Sequence, residues 1–303
     1  MKIDVIGGGA IGLLFAAYLS KVFDVTVFTK SSQQAAELNK HGIVLVKGQE
    51  SESFRVQAKS IGEYEKPGDL TILAVKQYQL ETVLAKLSEI PSCNSLLFLQ
   101  NGMGHLTFLE SVSANNVYVG SVEHGAVKEN SYTVRHHGEG ITNVAIYNGT
   151  DSPLSRFMEK SPSCFPFIFQ DNYYEMLLTK LIVNAMVNPL TAILHVENGL
   201  LIANPFYYQT LKIFFSEIAG IVKLEDPEAS FEKVVHVCRQ TAKNRSSMLK
   251  DIEAGRKTEV ESILGFLLKE AEKQKKNAPF CTVFYHLIKG KERETELARP
   301  ASK

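Results

Sequence analysis

Neither sign of charge is in excess in this 303-residue chain: Lys+Arg and Asp+Glu number 33 each, and the sequence pI is about 7.1. That balance excludes the electrostatic footprint of a general nucleic-acid binder or of a polybasic membrane-surface protein. Cysteine is scarce. Cys93, Cys164, Cys238 and Cys281 lie far apart with no CxxC, which argues against a disulfide scaffold and against a zinc ribbon. No uninterrupted run of about 18 apolar residues is present, so no transmembrane helix is expected. Internal repeats and low-complexity segments are lacking as well. What is there is 45% hydrophobic, enough for a sizeable core, and at roughly 150 residues per domain the length supports two domains. The expectation is a soluble protein of a reducing compartment.

The first twenty residues, MKIDVIGGGAIGLLFAAYLS, have the rough layout of a signal peptide. Asp4 and three consecutive glycines inside the apolar stretch argue against that reading, because glycine is a poor helix former. No export signal is therefore expected, and the location expected is cytoplasmic.

Up to about residue 169, short and nearly continuous apolar runs at 3–6, 25–28, 70–75, 96–99 and 117–119 alternate with helical patterns at 10–20, 33–40 and 80–87. Strands buried on both faces read this way, and the alternation predicts βα units around a parallel sheet. Residues 42–58 and 122–147 show alternation and turn residues instead, and predict antiparallel hairpins appended to that sheet. From about residue 172 helical periodicity dominates. Asp226-Pro227 reads as a helix start, Thr258 with Glu261 as a capping box, and Gly255 as the stop of the preceding helix. The polar tail, 289–303, reads as frayed. The fold class expected is α/β: a Rossmann-type dinucleotide-binding domain over 1–169, then an all-α domain over 170–303.

Gly7-Gly8-Gly9-Ala10-Ile11-Gly12 is a GxGxxG that follows an apolar strand and opens a helix. In that context Gly7 permits the tight turn, Gly9 lets the backbone approach a pyrophosphate, and Gly12 lets helix pack on strand. The helix N-terminus adds free N–H groups and a positive dipole end. NAD sites usually end the second strand with a carboxylate for the ribose hydroxyls. Here that strand ends Phe28-Thr29-Lys30-Ser31-Ser32, and a cation with hydroxyls suits a 2′-phosphate, so NADP is expected over NAD. A solvated loop lysine is the plain alternative for Lys30.

In the helical half, Lys180, Asn184 and Asn188 stand at i, i+4 and i+8 in KLIVNAMVNP and form one polar stripe on an otherwise apolar helix. Buried polar groups need partners, so the stripe points to a site; the alternative is an exposed face ending at Pro189. His136-His137 has no third ligand nearby in sequence, so no metal is expected. No GxSxG or hydrolase triad is evident.

Taken in order, GGGAIG, Ala74-Val75-Lys76 with Gln79, Gln100-Asn101-Gly102-Met103-Gly104, KLxxNxxxNPLTA, Glu197-Asn198-Gly199, and Asn244-Arg245-Ser246-Ser247-Met248-Leu249 with Thr258-Glu259 resemble the 2-dehydropantoate 2-reductase (ketopantoate reductase) family over nearly the whole chain. The resemblance implies reduction of 2-dehydropantoate to (R)-pantoate by NADPH, on the way to pantothenate and coenzyme A. It implies that Gly7, Gly8, Gly9, Ala10, Ile11 and Gly12 bind the pyrophosphate and that Lys30 takes the place of an arginine at the 2′-phosphate. Lys76, Asn101 and a backbone contact at Ala126 fall at cofactor positions, with Asn101 also reaching substrate. Lys180 matches the general acid, and Asn184, Asn188, Asn198, Asn244 and Ser247 match the substrate pocket. Glu259 matches a carboxylate that pairs with the catalytic lysine close to the cofactor.

The chemistry is coherent on its own terms. Hydride arriving at a ketone carbon leaves negative charge on oxygen, which a positioned ammonium stabilises and protonates. Ser247 and Glu259 would lie about 18 Å apart along one continuous helix, so both reach one pocket only if the helix breaks near Gly255. Two other functions compete: reduction of another branched 2-oxo acid, and a regulatory dinucleotide binder without catalysis. The expected partner is a small 2-oxo acid, with neither nucleic acid nor membrane. Apolar surface in the helical half is compatible with a homodimer as well as with its own core.

Overall fold

Aliphatic strands with no polar alternation can be buried on both faces only where helices or a second sheet cover them, and the N-terminal half of this chain is built to do so. The computed structural model describes residues 1–90 and 93–298, with side chains described to residue 294. In chain order its N-terminal part comprises β1 (Lys2–Ile6), α1 (Ala10–Leu19), β2 (Asp24–Thr29), α2 (Ser32–His41), β3 (Ile43–Lys47), β4 (Glu50–Phe54), β5 (Gln57–Ser60), β6 (Leu70–Leu73), α3 (Gln77–Ser88), β7 (Cys93–Phe98), α4 (Leu106–Leu109), β8 (Ala114–Val122), β9 (Gly125–Lys128), β10 (Thr133–Gly138), β11 (Thr142–Asn148), α5 (Ser152–Lys160) and β12 (Phe167–Phe169). Helices then follow: α6 (Tyr173–Leu194), α7 (Leu200–Ala203), α8 (Pro205–Ile221), α9 (Pro227–Gln240), α10 (Ser247–Glu253), α11 (Val260–Lys273) and α12 (Pro279–Ala298). The chain divides into two compact units, 1–100 with 105–176, and 101–104 with 177–303.

In the first unit the main sheet runs β12-β11-β8-β7-β6-β1-β2-β5. From β5 to β8 all pairings are parallel, and the order is the 3-2-1-4-5-6 arrangement of dinucleotide-binding sheets. β11 joins antiparallel to β8, and β12 runs parallel to β11.

The hairpin segments depart in part from expectation. Residues 43–54 and 125–138 do not extend this sheet but build a second one, β4-β3-β10-β9, in which two antiparallel pairs are joined by parallel pairing of β3 with β10. β5 and β11 of the same stretches do join the main sheet, β11 antiparallel to β8 as expected. α1 packs against β1 and β2 on one side and against β3, β9 and β10 on the other. That double cover explains why residues 12–19 of α1 are all buried: a helix apolar all round belongs between two layers. The same cover accounts for the signal-like composition of the N-terminus.

The second unit is helical. Asp226 caps α9, accepting from the Ala229 N–H at 2.9 Å, with Pro227 at the first position. The N-terminus of α12 is closed from another helix, the Glu217 carboxylate of α8 accepting the Phe280 and Cys281 N–H groups at 2.9 and 2.7 Å. α12 continues to Ala298, so 289–298 is helical rather than frayed; 299–303 lie outside the described residues. α6 is long and apolar enough to cross a membrane by length and composition, although Lys180, Asn184 and Asn188 interrupt its apolar stretch. Two thirds of its most apolar window is buried inside the protein, as in a core helix. Cys93, Cys238 and Cys281 are buried thiols and Cys164 is exposed; all four are free.

Candidate functional site

The glycine-rich turn between β1 and α1 has the conformation that its sequence demands. Gly7 sits at φ +125°, where a Cβ would stand 2.9 Å from the Ala74 carbonyl, and its N–H donates to the Phe28 carbonyl at 2.8 Å. A Cβ on Gly12 would lie 1.8 Å from the Gly7 oxygen, so helix and turn touch backbone to backbone. Gly9, the N-cap of α1, differs: nothing stands within 4 Å of a Cβ there, and no side chain caps the helix. An open face over an uncapped helix N-terminus is a cradle for phosphate, and the residues present therefore fit a dinucleotide. Ala10 and Ile11 open the helix behind it.

Around the turn stand the other first-unit candidates. Lys30 is exposed at the end of β2, followed by Ser31, whose hydroxyl caps α2 by accepting the Gln34 N–H at 3.3 Å. Lys76 is the N-cap of α3, its N–H donating to Gln79 Oε1 at 3.4 Å. Ala126 lies half-buried on β9, opposite His136 of β10. Gln34 and Lys128 were not singled out from sequence. Both donate to the Gly8 carbonyl, at 2.8 and 3.1 Å, and both come from elements distant in the chain, so no local pattern announces them.

In the second unit the expected acid, amide and carboxylate meet. Lys180 Nζ donates to Asn101 Oδ1 at 2.8 Å, and Asn101 Nδ2 donates to Glu259 Oε2 at 2.9 Å. Asn101 thus ties the lysine to the carboxylate through its own carboxamide. The loop carrying it is docked on the first turn of α11: Met103 N–H donates to the Ser262 carbonyl at 3.2 Å, and Gly102, at φ +78°, has no room for a Cβ, which would fall 2.1 Å from that oxygen. Ser262 in turn donates its hydroxyl to the Glu259 carbonyl at 3.0 Å.

The polar stripe on α6 passes inward, from half-buried Lys180 and Asn184 to buried Asn188. One turn on, Thr191 Oγ1 donates to Ser246 Oγ at 2.8 Å, and Ser246 caps α10 by accepting the Leu249 N–H at 3.1 Å. Asn198 N–H donates to the Asn244 carbonyl at 3.0 Å, which brings those two residues together, and Asn198 Nδ2 reaches Thr241 Oγ1 at 2.9 Å. Asn198 Oδ1 is buried without a protein partner, an acceptor that a ligand hydroxyl would satisfy. Ser247 is exposed at the start of α10.

The helix break between Ser247 and Glu259 is present, with Gly255 at φ +63°. The capping box is not. Glu259 is the N-cap of α11. Thr258 gives its hydroxyl and its N–H to Glu292 Oε1, at 2.7 and 2.8 Å, while Glu261 accepts from the Tyr285 hydroxyl at 2.7 Å. Tertiary partners on α12 out-compete the local box. Burial acts to raise the Glu292 carboxyl pKa, and the hydrogen bonds from Thr258 and Lys289 outweigh it and hold the group below its usual range. Among the described residues no group of three or more potential metal ligands occurs.

Comparison with known proteins places these sites in a family context. The family model described as ketopantoate reductase PanE/ApbA matches residues 3–149, and the one for its C-terminal part matches 172–292. The 2-dehydropantoate 2-reductase of Bacillus subtilis (strain 168) is 43% identical over 97% of this chain and 99% of its own length. A crystal structure of the probable 2-dehydropantoate 2-reductase of Bacillus subtilis superimposes with a TM-score of 0.90 at 42% identity, covering 96% of this chain and 100% of the other. At 24% identity, a D-mandelate dehydrogenase solved with NADH and anilino(oxo)acetate shares the fold, with a TM-score of 0.90 over 98% of this chain and 99% of the other.

Proposed function

We propose, from the premise that this chain belongs to the ketopantoate reductase PanE/ApbA family, that it reduces the ketone of 2-dehydropantoate to (R)-pantoate with NADPH, in the pathway to pantothenate and coenzyme A. The observation that carries the mechanism is the relay Lys180–Asn101–Glu259. Bound NADPH supplies the hydride. Gly7, Gly8, Gly9, Ala10, Ile11 and Gly12 hold its pyrophosphate, Lys30 its 2′-phosphate, and Lys76, Asn101, Ala126 and Glu259 its remaining contacts.

Lys180 is the general acid. Its ammonium faces the oxygen that gains charge as the carbonyl carbon is reduced, donates a proton there, and is reprotonated from solvent after product leaves. Asn101 holds that ammonium by its carbonyl oxygen, and Glu259, by accepting the Asn101 amide, fixes which end of the carboxamide faces the lysine. A lysine on a four-carbon stem loses much rotamer freedom when it is positioned, and the relay sets that position before substrate binds. Asn184, Asn188, Asn198, Asn244 and Ser247 supply neutral donors and acceptors for the substrate's carboxylate and hydroxyl. The unpartnered Asn198 Oδ1 suits the hydroxyl. The reading places the protein in the cytoplasm, where NADPH is regenerated.

Following NADPH consumption with 2-dehydropantoate tests it. Wild type turns over, while Lys180→Ala loses about 10²–10⁴-fold in kcat, the usual contribution of a general acid, and keeps its thermal unfolding midpoint within a few degrees. NADPH binding without turnover on this substrate would transfer the reading to another branched 2-oxo acid. Silence across such acids would leave a dinucleotide binder.

A further inference from the structure

The Gly8 carbonyl collects two side chains from opposite parts of the chain: Gln34 Nε2 from the first turn of α2 and Lys128 Nζ from the end of β9. Gln34 Nε2 also donates to the Ser131 carbonyl at 2.9 Å, so the loop after β9 is pinned beside the phosphate turn. Because both donors share one acceptor, the Lys128 ammonium stands on the α2 side of that turn. That is the side of Lys30 and Ser31, where a dinucleotide's adenosine ribose lies in this fold. Lys128 also shares a face of β9 with Ala126, since alternate strand residues point the same way.

The ammonium is spent on a neutral carbonyl. No carboxylate pairs with Lys128 among the described residues, and burial alone lowers its pKa. A phosphate oxygen is a stronger acceptor than an amide carbonyl. Lys30, alone, would present only a point charge where a guanidinium would present a two-pronged fork.

We propose that Lys128 is a second cation for the 2′-phosphate of NADPH, so that this chain divides between Lys30 and Lys128 the recognition that a single arginine performs elsewhere. The proposal rests on the NADPH reading above. It makes the second sheet part of cofactor selection, through β9.

Calorimetric titration of NADPH, NADH and adenosine 2′-monophosphate into wild type, Lys128→Gln, Lys128→Arg and Lys30→Gln tests it without turnover. Lys128→Gln is expected to weaken NADPH and adenosine 2′-monophosphate about tenfold, the effect of one charge-assisted hydrogen bond, and NADH less than twofold. Lys128→Arg restores the affinity, and Lys30→Gln adds a further loss selective for the phosphorylated ligands. Equal weakening of NADPH and NADH by Lys128→Gln would make the residue a general support of the turn and overturn the proposal. So would unchanged NADPH affinity in a variant that melts like wild type. A wild type that binds NADH as tightly as NADPH would overturn the NADPH reading itself, which is a separate and recognisable failure.

Discussion

Among the three consecutive glycines and the one that follows, identical residues carry different burdens. A Cβ at Gly12 collides with the Gly7 oxygen at 1.8 Å, whereas a Cβ at Gly9 meets nothing within 4 Å. The two substitutions should therefore separate folding from binding. Gly12→Ala is expected to destabilise the protein by several kcal/mol, in the range of overpacked cores or above, seen as a large drop in the thermal midpoint. Gly9→Ala should fold with less than about 1 kcal/mol of change, in line with a helix N-cap swap. It should nonetheless weaken NADPH at least about tenfold, because the methyl enters the space that the pyrophosphate needs. A Gly9→Ala variant with wild-type affinity would show that the open face is not the phosphate cradle. At this scale the sequence was informative: the GxGxxG spacing anticipated the tight turn at Gly7 and the backbone contact at Gly12, and the structure supplied the contacts behind both.

At the scale of elements, the decisive feature is the interruption between α10 and α11. It was legible in Gly255 and Thr258, but the chemistry of the cap was not. Thr258 is held by Glu292, 34 residues on, through both its N–H and its hydroxyl, and Glu259 follows it directly into the site. Removing the acceptor should be felt at both levels. Glu292→Ala leaves two buried donors unpaired and is expected to cost about 1–3 kcal/mol in denaturant unfolding. It should also lower kcat more than it raises KM, because Glu259 and the Asn101 it orients lose their footing. Glu292→Gln keeps an acceptor and should recover most of the loss. Loss of stability with unchanged kcat would confine Glu292 to a structural part. The local pattern S/T-x-x-E predicted a capping box here, and tertiary hydrogen bonds overrode it, as they can wherever a buried carboxylate comes within reach of both donors.

At the scale of the molecule, the first unit stores its acid sensitivity in histidines. Burial pushes His105 and His124 down to about 4, with His136 adding to the effect on His124, and burial also lowers His136, whose Nδ1 meets the Tyr18 hydroxyl at 2.9 Å. The ordinary value is 6.5, so the unfolded chain binds protons that the folded chain refuses. Stability is complete above about pH 6.5 and declines as the pH falls toward 4, since unfolding then takes up protons. Glu292, held low in the fold, acts in the same direction at the acid end of that range. Asp4, raised mainly by burial, acts oppositely. Thermal midpoints across this range should therefore fall with acidification, and a triple His105→Asn, His124→Asn, His136→Asn variant, if folded, should show a flatter profile. A flat wild-type profile would contradict the burial of neutral imidazoles. His124 and His136 form one aromatic cluster with Tyr18 on α1 and Phe165, whereas His105 stacks on Phe98 of β7.

By itself the sequence determined five parallel strands of the main sheet with their βα alternation, the helical second half, the glycine-rich turn and the polar stripe on α6. Each of these is written in local periodicity or in residues whose conformational demands are intrinsic, such as Gly7. Family resemblance extended that reading to Asn101, Lys180 and Glu259. Only the tertiary structure decided that residues 43–54 and 125–138 leave the main sheet to form their own, because strand pairing between β3 and β10 joins segments far apart in sequence and alternation alone does not name a partner. It likewise decided that Asn101 stands between Lys180 and Glu259, and that Lys128 reaches the phosphate turn from the second sheet. Those contacts span 79, 158 and 120 residues. Pairings at such distances arise from how layers stack, and a one-dimensional pattern carries no record of them.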